Sequence, residues 1–319
     1  MTVRVLDEHD VRRLLPMDEC IETMARALES LARGELHNPL RFVVRPPGAS
    51  NLLGLMPAYR AEPEPLFALK TVAVCPGNSA RGLDPHQGFV ALFDGETGEA
   101  RAIMNAGAIT AVRTAAVSGV ATRTLAREDV QTLAILGAGF QAAAHLDAMR
   151  AVRKFDRVLM WSRTPGHAGR FDGVEEAASA EDAVRDADVV VTATSAVEPI
   201  LSRSWLKTGA HVNAVGSSIP TTRELDTATM VEGSLFVDRR ESTVNEAGDY
   251  LFPLREGALT PAAIRGELGE VLIGAVQGRR SDDELTVFKS LGLAVQDLAA
   301  AEHVLARAEA ENAGSVVPL

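Results

Sequence analysis

Apolar positions follow one rhythm before residue 34 and another after it. Between residues 7 and 33, Val11, Leu14, Leu15, Ile21, Met24, Leu28 and Leu31 recur every three or four residues, the spacing that gathers side chains on one helix face. Pro16 cannot continue a helix, so the pattern predicts a short helix and then a longer one, starting near Asp18 as N-cap and stopping at Gly34. From Leu40 to Phe93 the runs shorten. Phe42–Val44, Leu52–Met56, Phe67–Val74 and Phe89–Phe93 read as strands separated by Pro and Gly, too close together for crossover helices, so the sheet they predict is antiparallel. Asp94–Gly98 reads as a turn, with Ala100–Met104 completing a hairpin, and Ile109–Leu125 as a buried helix.

After that helix, strand-like and helical patterns alternate. Gln131–Leu136 runs into Gly137-Ala138-Gly139-Phe140-Gln141-Ala142, and Ala-rich sequence with helical spacing follows. This is the strand, tight turn and helix of a dinucleotide-binding unit. Gly137 permits the turn, Gly139 lets a pyrophosphate approach the backbone, and Ala142 lets the helix pack closely on the strand. The amides at the helix start, around Phe140 and Gln141, would receive the phosphates. The next strand, Arg157–Trp161, ends in Ser162-Arg163-Thr164, where an acidic residue would read the ribose of NAD. A guanidinium between two hydroxyls suits a 2′-phosphate, so NADP(H) is favoured over NAD(H); the plainer reading of Arg163 is a solvated side chain. Val189–Thr194, His211–Gly216 and Leu235–Asp238 continue as parallel strands. Thr194, Asn213, Val215 and Ser217 fall at strand C-terminal ends, where a nicotinamide amide would be met. A last helix over 290–310 is expected to return to the N-terminal half and make that domain discontinuous.

Composition narrows the class. With 319 residues, two domains are the default; a net charge of −11 argues against a nucleic-acid partner and mildly against an anionic membrane surface. Neither a signal peptide nor a membrane span is readable, so the chain is expected in the cytoplasm. Cys20 and Cys75 encode no disulfide framework, and no cluster has metal-ligand spacing.

Three cations interrupt otherwise apolar patterns: Arg41 at the start of Arg41-Phe42-Val43-Val44, Lys70 within Leu69-Lys70-Thr71-Val72, and Arg113 within Val112-Arg113-Thr114. Each needs a partner, and a structural carboxylate is as good an explanation as a substrate. Together they suit an α-imino or α-keto acid. Two arginines would hold its carboxylate by bidentate bonds, and a partly desolvated lysine would pass a proton to the imine nitrogen as a nicotinamide delivers hydride. His86 reads as a loop residue, Cys75 as a small packed one, and Glu246 and Asp249 as caps or ion-pair partners without chemistry.

Pro39-Leu40-Arg41, Gly54-Leu55-Met56-Pro57-Ala58-Tyr59, Lys70 with Pro76-Gly77-Asn78, His86-Gln87-Gly88, the run Ile109–Ala116, the glycine turn and Phe288-Lys289-Ser290-Leu291-Gly292 together resemble the ornithine cyclodeaminase/μ-crystallin family, in order from about Leu6 to Ala301. The resemblance implies a homodimer, with a Rossmann-type doubly wound parallel sheet domain over 116–289 and a discontinuous α+β substrate and dimerisation domain over 1–115 and 290–319. It implies that Arg41, Lys70 and Arg113 contact substrate, with Arg45 a weaker substitute for Arg41, and that Ser162–Thr164 meet the adenosine ribose or its phosphate. Cyclodeaminases resembling Val215–Leu225 carry an aspartate where this chain has Ser218. A hydroxyl is a poor base for the proton transfers of ammonia loss, so the resemblance points to NAD(P)H-dependent reduction of cyclic imino acids such as Δ1-pyrroline-2-carboxylate or Δ1-piperideine-2-carboxylate. An NAD-recycling ornithine cyclodeaminase, an amino-acid or opine-type dehydrogenase, and a binding protein without turnover remain the alternatives.

Overall fold

The computed structural model describes residues 2–83 and 86–319. It divides into two units, Met1–Arg113 with Leu293–Leu319, and Thr114–Gly292.

In the first unit the strands lie in the order Ser315–Pro318, Thr2–Leu6, Ala100–Asn105, His86–Asp94, Leu66–Val74, Leu52–Arg60, Leu36–His37, with Phe42–Val44 also paired to Leu52–Arg60. Neighbours are antiparallel except Thr2–Leu6 and Ala100–Asn105, which run parallel. The longer strands were legible as strand-like runs; Thr2–Leu6, Leu36–His37 and Ser315–Pro318 were not read from the sequence. Asp94 closes the central hairpin by accepting from the Glu96 and Thr97 amides. One face, carrying Met56, Ala58, Leu66, Ala68, Val90 and Leu92, is buried, and the helix Ala294–Glu311 packs on the strands that bear it and on the helix Met17–Ala32. Cross-strand register puts Pro57, Leu69, Ala91, Ile103 and Val5 in one row on the opposite face. That face leaves Phe42, Leu53, Phe67 and Phe89 exposed.

Three boundaries differ from expectation. The second helix starts at Met17 with Pro16 as its N-cap residue, so Asp18 lies in the first turn, where its charge complements the helix dipole. The buried helix spans Ala106–Leu125, beginning three residues earlier than its apolar pattern, with the Ala108 amide bonded to the Asn105 side chain. The last helix begins at Ala294, because Gly292 sits at φ +79° and the Leu291 and Gly292 amides are held by the Asp238 carboxylate.

The second unit is a parallel sheet in the order Glu175–Glu176, Arg157–Trp161, Thr132–Leu136, Val189–Thr192, His211–Ala214, Thr286–Lys289, Ser234–Val237, Ile264–Glu267. Its order reverses on either side of Thr132–Leu136 and Val189–Thr192, the arrangement of a doubly wound fold. Thr286–Lys289 is a central strand that the sequence pattern hides, since a lysine ends a four-residue run. Leu136, Val190, Val212, Val237 and Val287 lie in its core. Among the described residues no helix is long and apolar enough to cross a membrane.

Candidate active site

Lys70 lies on the buried face of Leu66–Val74, opposite Met56 on one neighbouring strand and Val90 on the other. It is 4% exposed, and Arg113, on the helix Ala106–Leu125, is 3% exposed. Both meet Asp297, in the first turn of Ala294–Glu311. Arg113 Nε donates to Asp297 Oδ1 at 2.9 Å and its Nη1 donates to Gln296 Oε1 at 3.0 Å. Lys70 Nζ stands 3.5 Å from Asp297 Oδ2, an ion-pair distance, and among the described residues that oxygen has no shorter partner. Two buried cations therefore share one carboxylate among the described residues. Burial lowers the Lys70 pKa to about 8, with Asp297 opposing the fall and Arg113 and Arg41 deepening it.

Arg41 is half-buried and immediately precedes the strand Phe42–Val44, rather than beginning it, and it is close enough to act on the Lys70 charge. Arg45, beyond the strand, is exposed. Asp297 and Gln296 occupy the Arg113 Nε–H and one Nη1–H, which leaves Nη2 for a ligand. Asp297 and Gln296 were not foreseen. An acidic residue in a helix's first turn is ordinary, and the one available sign was two adjacent polar residues at the head of an Ala- and Leu-rich helix.

The glycine turn has the form a dinucleotide needs. Gly137 adopts φ +126°, and a Cβ there would lie 2.4 Å from the Ala193 carbonyl oxygen. A Cβ on Gly139 would meet nothing within 4 Å, so the space beside it is open. Gly139 is the N-cap of the helix Phe140–Val152 and offers no side-chain acceptor, which leaves the first amides, including those of Phe140 and Gln141, for a phosphate. Arg170 donates to the Ala138 carbonyl at 2.6 Å, placing an unforeseen guanidinium at this turn. Ser162 is half-buried; Arg163 and Thr164 are exposed after the strand Arg157–Trp161, and the Thr164 amide donates to Ser162 Oγ.

At the strand ends the predicted nicotinamide contacts are largely engaged within the chain. Asn213 Nδ2 donates to Thr122 Oγ1, Ser217 Oγ donates to the Thr222 carbonyl, the Val215 amide to the Thr192 carbonyl, and Thr194 Oγ1 to Glu224. Glu224 is the hub here. Its carboxylate accepts from Thr192 Oγ1, the Thr194 amide and hydroxyl, and the Gly216 amide, each at 2.7 Å. Burial raises its pKa, while the Lys289 ammonium and the threonine hydroxyls pull it back. Asp249 Oδ1 accepts from the Glu224 and Leu225 amides, and its Oδ2 pairs with Lys289 Nζ at 2.9 Å, both side chains fully buried. Lys289, part of the motif that carried the family resemblance, is thus in an ion pair with Asp249. His86 is exposed at a strand start, and Cys75 is a half-buried free thiol. Among the described residues no three His, Cys, Asp or Glu side chains are placed to hold a metal ion.

Comparisons with known proteins agree with this architecture. The ketimine reductase mu-crystallin of Mus musculus is 41% identical over 292 residues, covering 89% of this chain and 90% of that protein. The Δ1-pyrroline-2-carboxylate reductase of Thermococcus litoralis, solved with NADH and L-proline, superposes with a TM-score of 0.95 at 34% identity, covering 98% of this chain and 99% of that one. An archaeal alanine dehydrogenase dimer with bound NAD gives a TM-score of 0.93 at 30% identity and full coverage of both chains. With a sequence profile that matches residues 1–312, the chain belongs to the ornithine cyclodeaminase/mu-crystallin family.

Proposed function

We propose that this protein is an NAD(P)H-dependent reductase of cyclic imino acids, Δ1-pyrroline-2-carboxylate or its six-membered homologue. The observation that carries the reading is the pair of buried cations on one carboxylate, which leaves a positive charge for a substrate carboxylate to balance. The similarity to a ketimine reductase and to a pyrroline-2-carboxylate reductase supports it.

In this reading Arg113 Nη2 and Arg41 bind the carboxylate, and Lys70 donates a hydrogen bond or its proton to the imine nitrogen, making the adjacent carbon more electrophilic. The low exposure of Lys70 and Arg113 keeps water from competing for the imine. A bound nicotinamide supplies the hydride. The open glycine turn and the uncapped helix start fit its pyrophosphate, and Ser162-Arg163-Thr164, with no carboxylate among them, favours NADP(H) over NAD(H). The backbone near Thr194, Val215 and Ser217, at the strand C-terminal ends, would meet the carboxamide, while Asn213 steadies its strand through Thr122. We place the protein in the cytoplasm as a homodimer joined through the exposed sheet face of the first unit.

The test is absorbance at the nicotinamide band with NADPH or NADH and the five- and six-membered imino acids. Signal loss with either ring establishes the reductase. Ammonia and proline from ornithine without net absorbance change would replace it with the cyclodeaminase, and turnover only of an open-chain keto acid with an amine would replace it with a dehydrogenase. Arg163→Ala is expected to raise KM for NADPH about tenfold or more and leave that for NADH nearly unchanged.

A further inference from the structure

We propose that Asp297 is a positioning residue of this site, fixing the Lys70 ammonium with one carboxylate oxygen and orienting Arg113 with the other so that Nη2 is offered to substrate. The proposal rests on the imine-reductase reading and adds to it the residue that keeps its proton donor charged.

Asp297 is 1% exposed, and its two oxygens do different work. Oδ1 takes the Arg113 Nε–H and Gln296 Oε1 takes an Nη1–H, so the guanidinium is held from two sides. Such a braced arginine has lost its rotational freedom and presents its remaining N–H groups in a fixed direction, so it selects a carboxylate arriving from that side. Among the described residues Oδ2 has no shorter partner than Lys70 Nζ, at 3.5 Å. A carboxylate oxygen in the interior is costly without a partner, and here that partner is the ammonium.

Among the described residues, three charged groups act on Lys70. Asp297 approaches from the last helix, Arg113 from the helix Ala106–Leu125, and Arg41 from the segment before Phe42–Val44; the flanking strands contribute uncharged Met56 and Val90. Cys20, which feels Arg113 from the second helix, stays neutral because burial pushes its thiol up to about 12. Two cations and burial disfavour the Lys70 charge, and Asp297 alone among these groups favours it. Without that carboxylate the lysine would lose its proton at a lower pH and give it less readily at neutral pH.

The chain has four lysines, Lys70, Lys154, Lys207 and Lys289, so protein labelled with 13C at the lysine ε-carbons yields few NMR signals and a direct Lys70 titration. The wild-type midpoint is expected near 8. Asp297→Asn should lower it by about one to three pH units, and Gln296→Glu, which adds a second carboxylate against Arg113, should raise it. The alkaline limb of kcat/KM for the cyclic imine should move with each midpoint. Substrate ionisation is common to all variants and cancels in the comparison. NADH binding and the thermal midpoint report that the variants are folded, and Gln296→Glu keeps the test open should Asp297→Asn not fold. Unmoved midpoints in folded variants would overturn the proposal. Midpoints that move in a protein inert toward both imines would leave the electrostatic role standing and remove the reductase reading instead.

Discussion

Lys70 is useful because its environment loosens its hold on its proton while leaving it charged at neutral pH. Its pKa is lowered from 10.5 to about 8, so it is protonated, and able to donate, below that value and becomes neutral as pH rises through it. Proton donation to the imine should therefore hold level toward neutral pH, and kcat/KM should fall about tenfold per unit above pH 8. Lys70→Ala and Arg113→Ala are each expected to lower turnover by about 10²-fold or more while leaving nucleotide affinity nearly intact, since neither residue lies in the unit that carries the glycine turn. Steady-state rates beside a fluorescence titration with NADH check both parts. Wild-type rates in both variants would remove these residues from the chemistry.

At the scale of elements, the ion pair of Lys289 and Asp249 ties the end of the central strand Thr286–Lys289 to the helix Gly248–Arg255, and Asp249 in turn holds the Glu224 and Leu225 amides. Asp249→Ala would strand a buried ammonium and release two amides. A loss of about 3–5 kcal/mol in urea unfolding is expected, against a smaller loss for Lys289→Met, because the carboxylate keeps its amide donors. This pair also explains what the sequence left unread. Strand, turn and helix around Gly137 were legible because each residue there answers to a local requirement, and Lys70 and Arg113 stood out because a charge in an apolar run is a local anomaly. Asp297, Glu224 and Asp249 sit in ordinary surroundings: a first helical turn, a loop, another helix start. Their importance comes from partners far along the chain, 184 residues in the case of Arg113 and Asp297, and no local pattern encodes such a pairing.

For the molecule as a whole, the unpaired feature is the apolar sheet face with Phe42, Leu53, Phe67 and Phe89 exposed. An apolar surface of this extent is normally covered, and a second copy of the same face can cover it isologously. Light scattering during gel filtration should give twice the chain mass, and Phe67→Asp with Phe89→Asp should give monomers with reduced turnover. A wild-type monomer at micromolar concentration would remove the dimer. The two-unit division follows from the same long-range design, since the first unit is closed by the helix Ala294–Glu311 from the far end of the chain. During synthesis, Lys70 and Arg113 leave the ribosome long before Asp297 has been made. The first unit cannot enclose these two cations with their counter-ion until Asp297 has been made, and a truncation after residue 290 would disable the site as surely as a change to Lys70 itself.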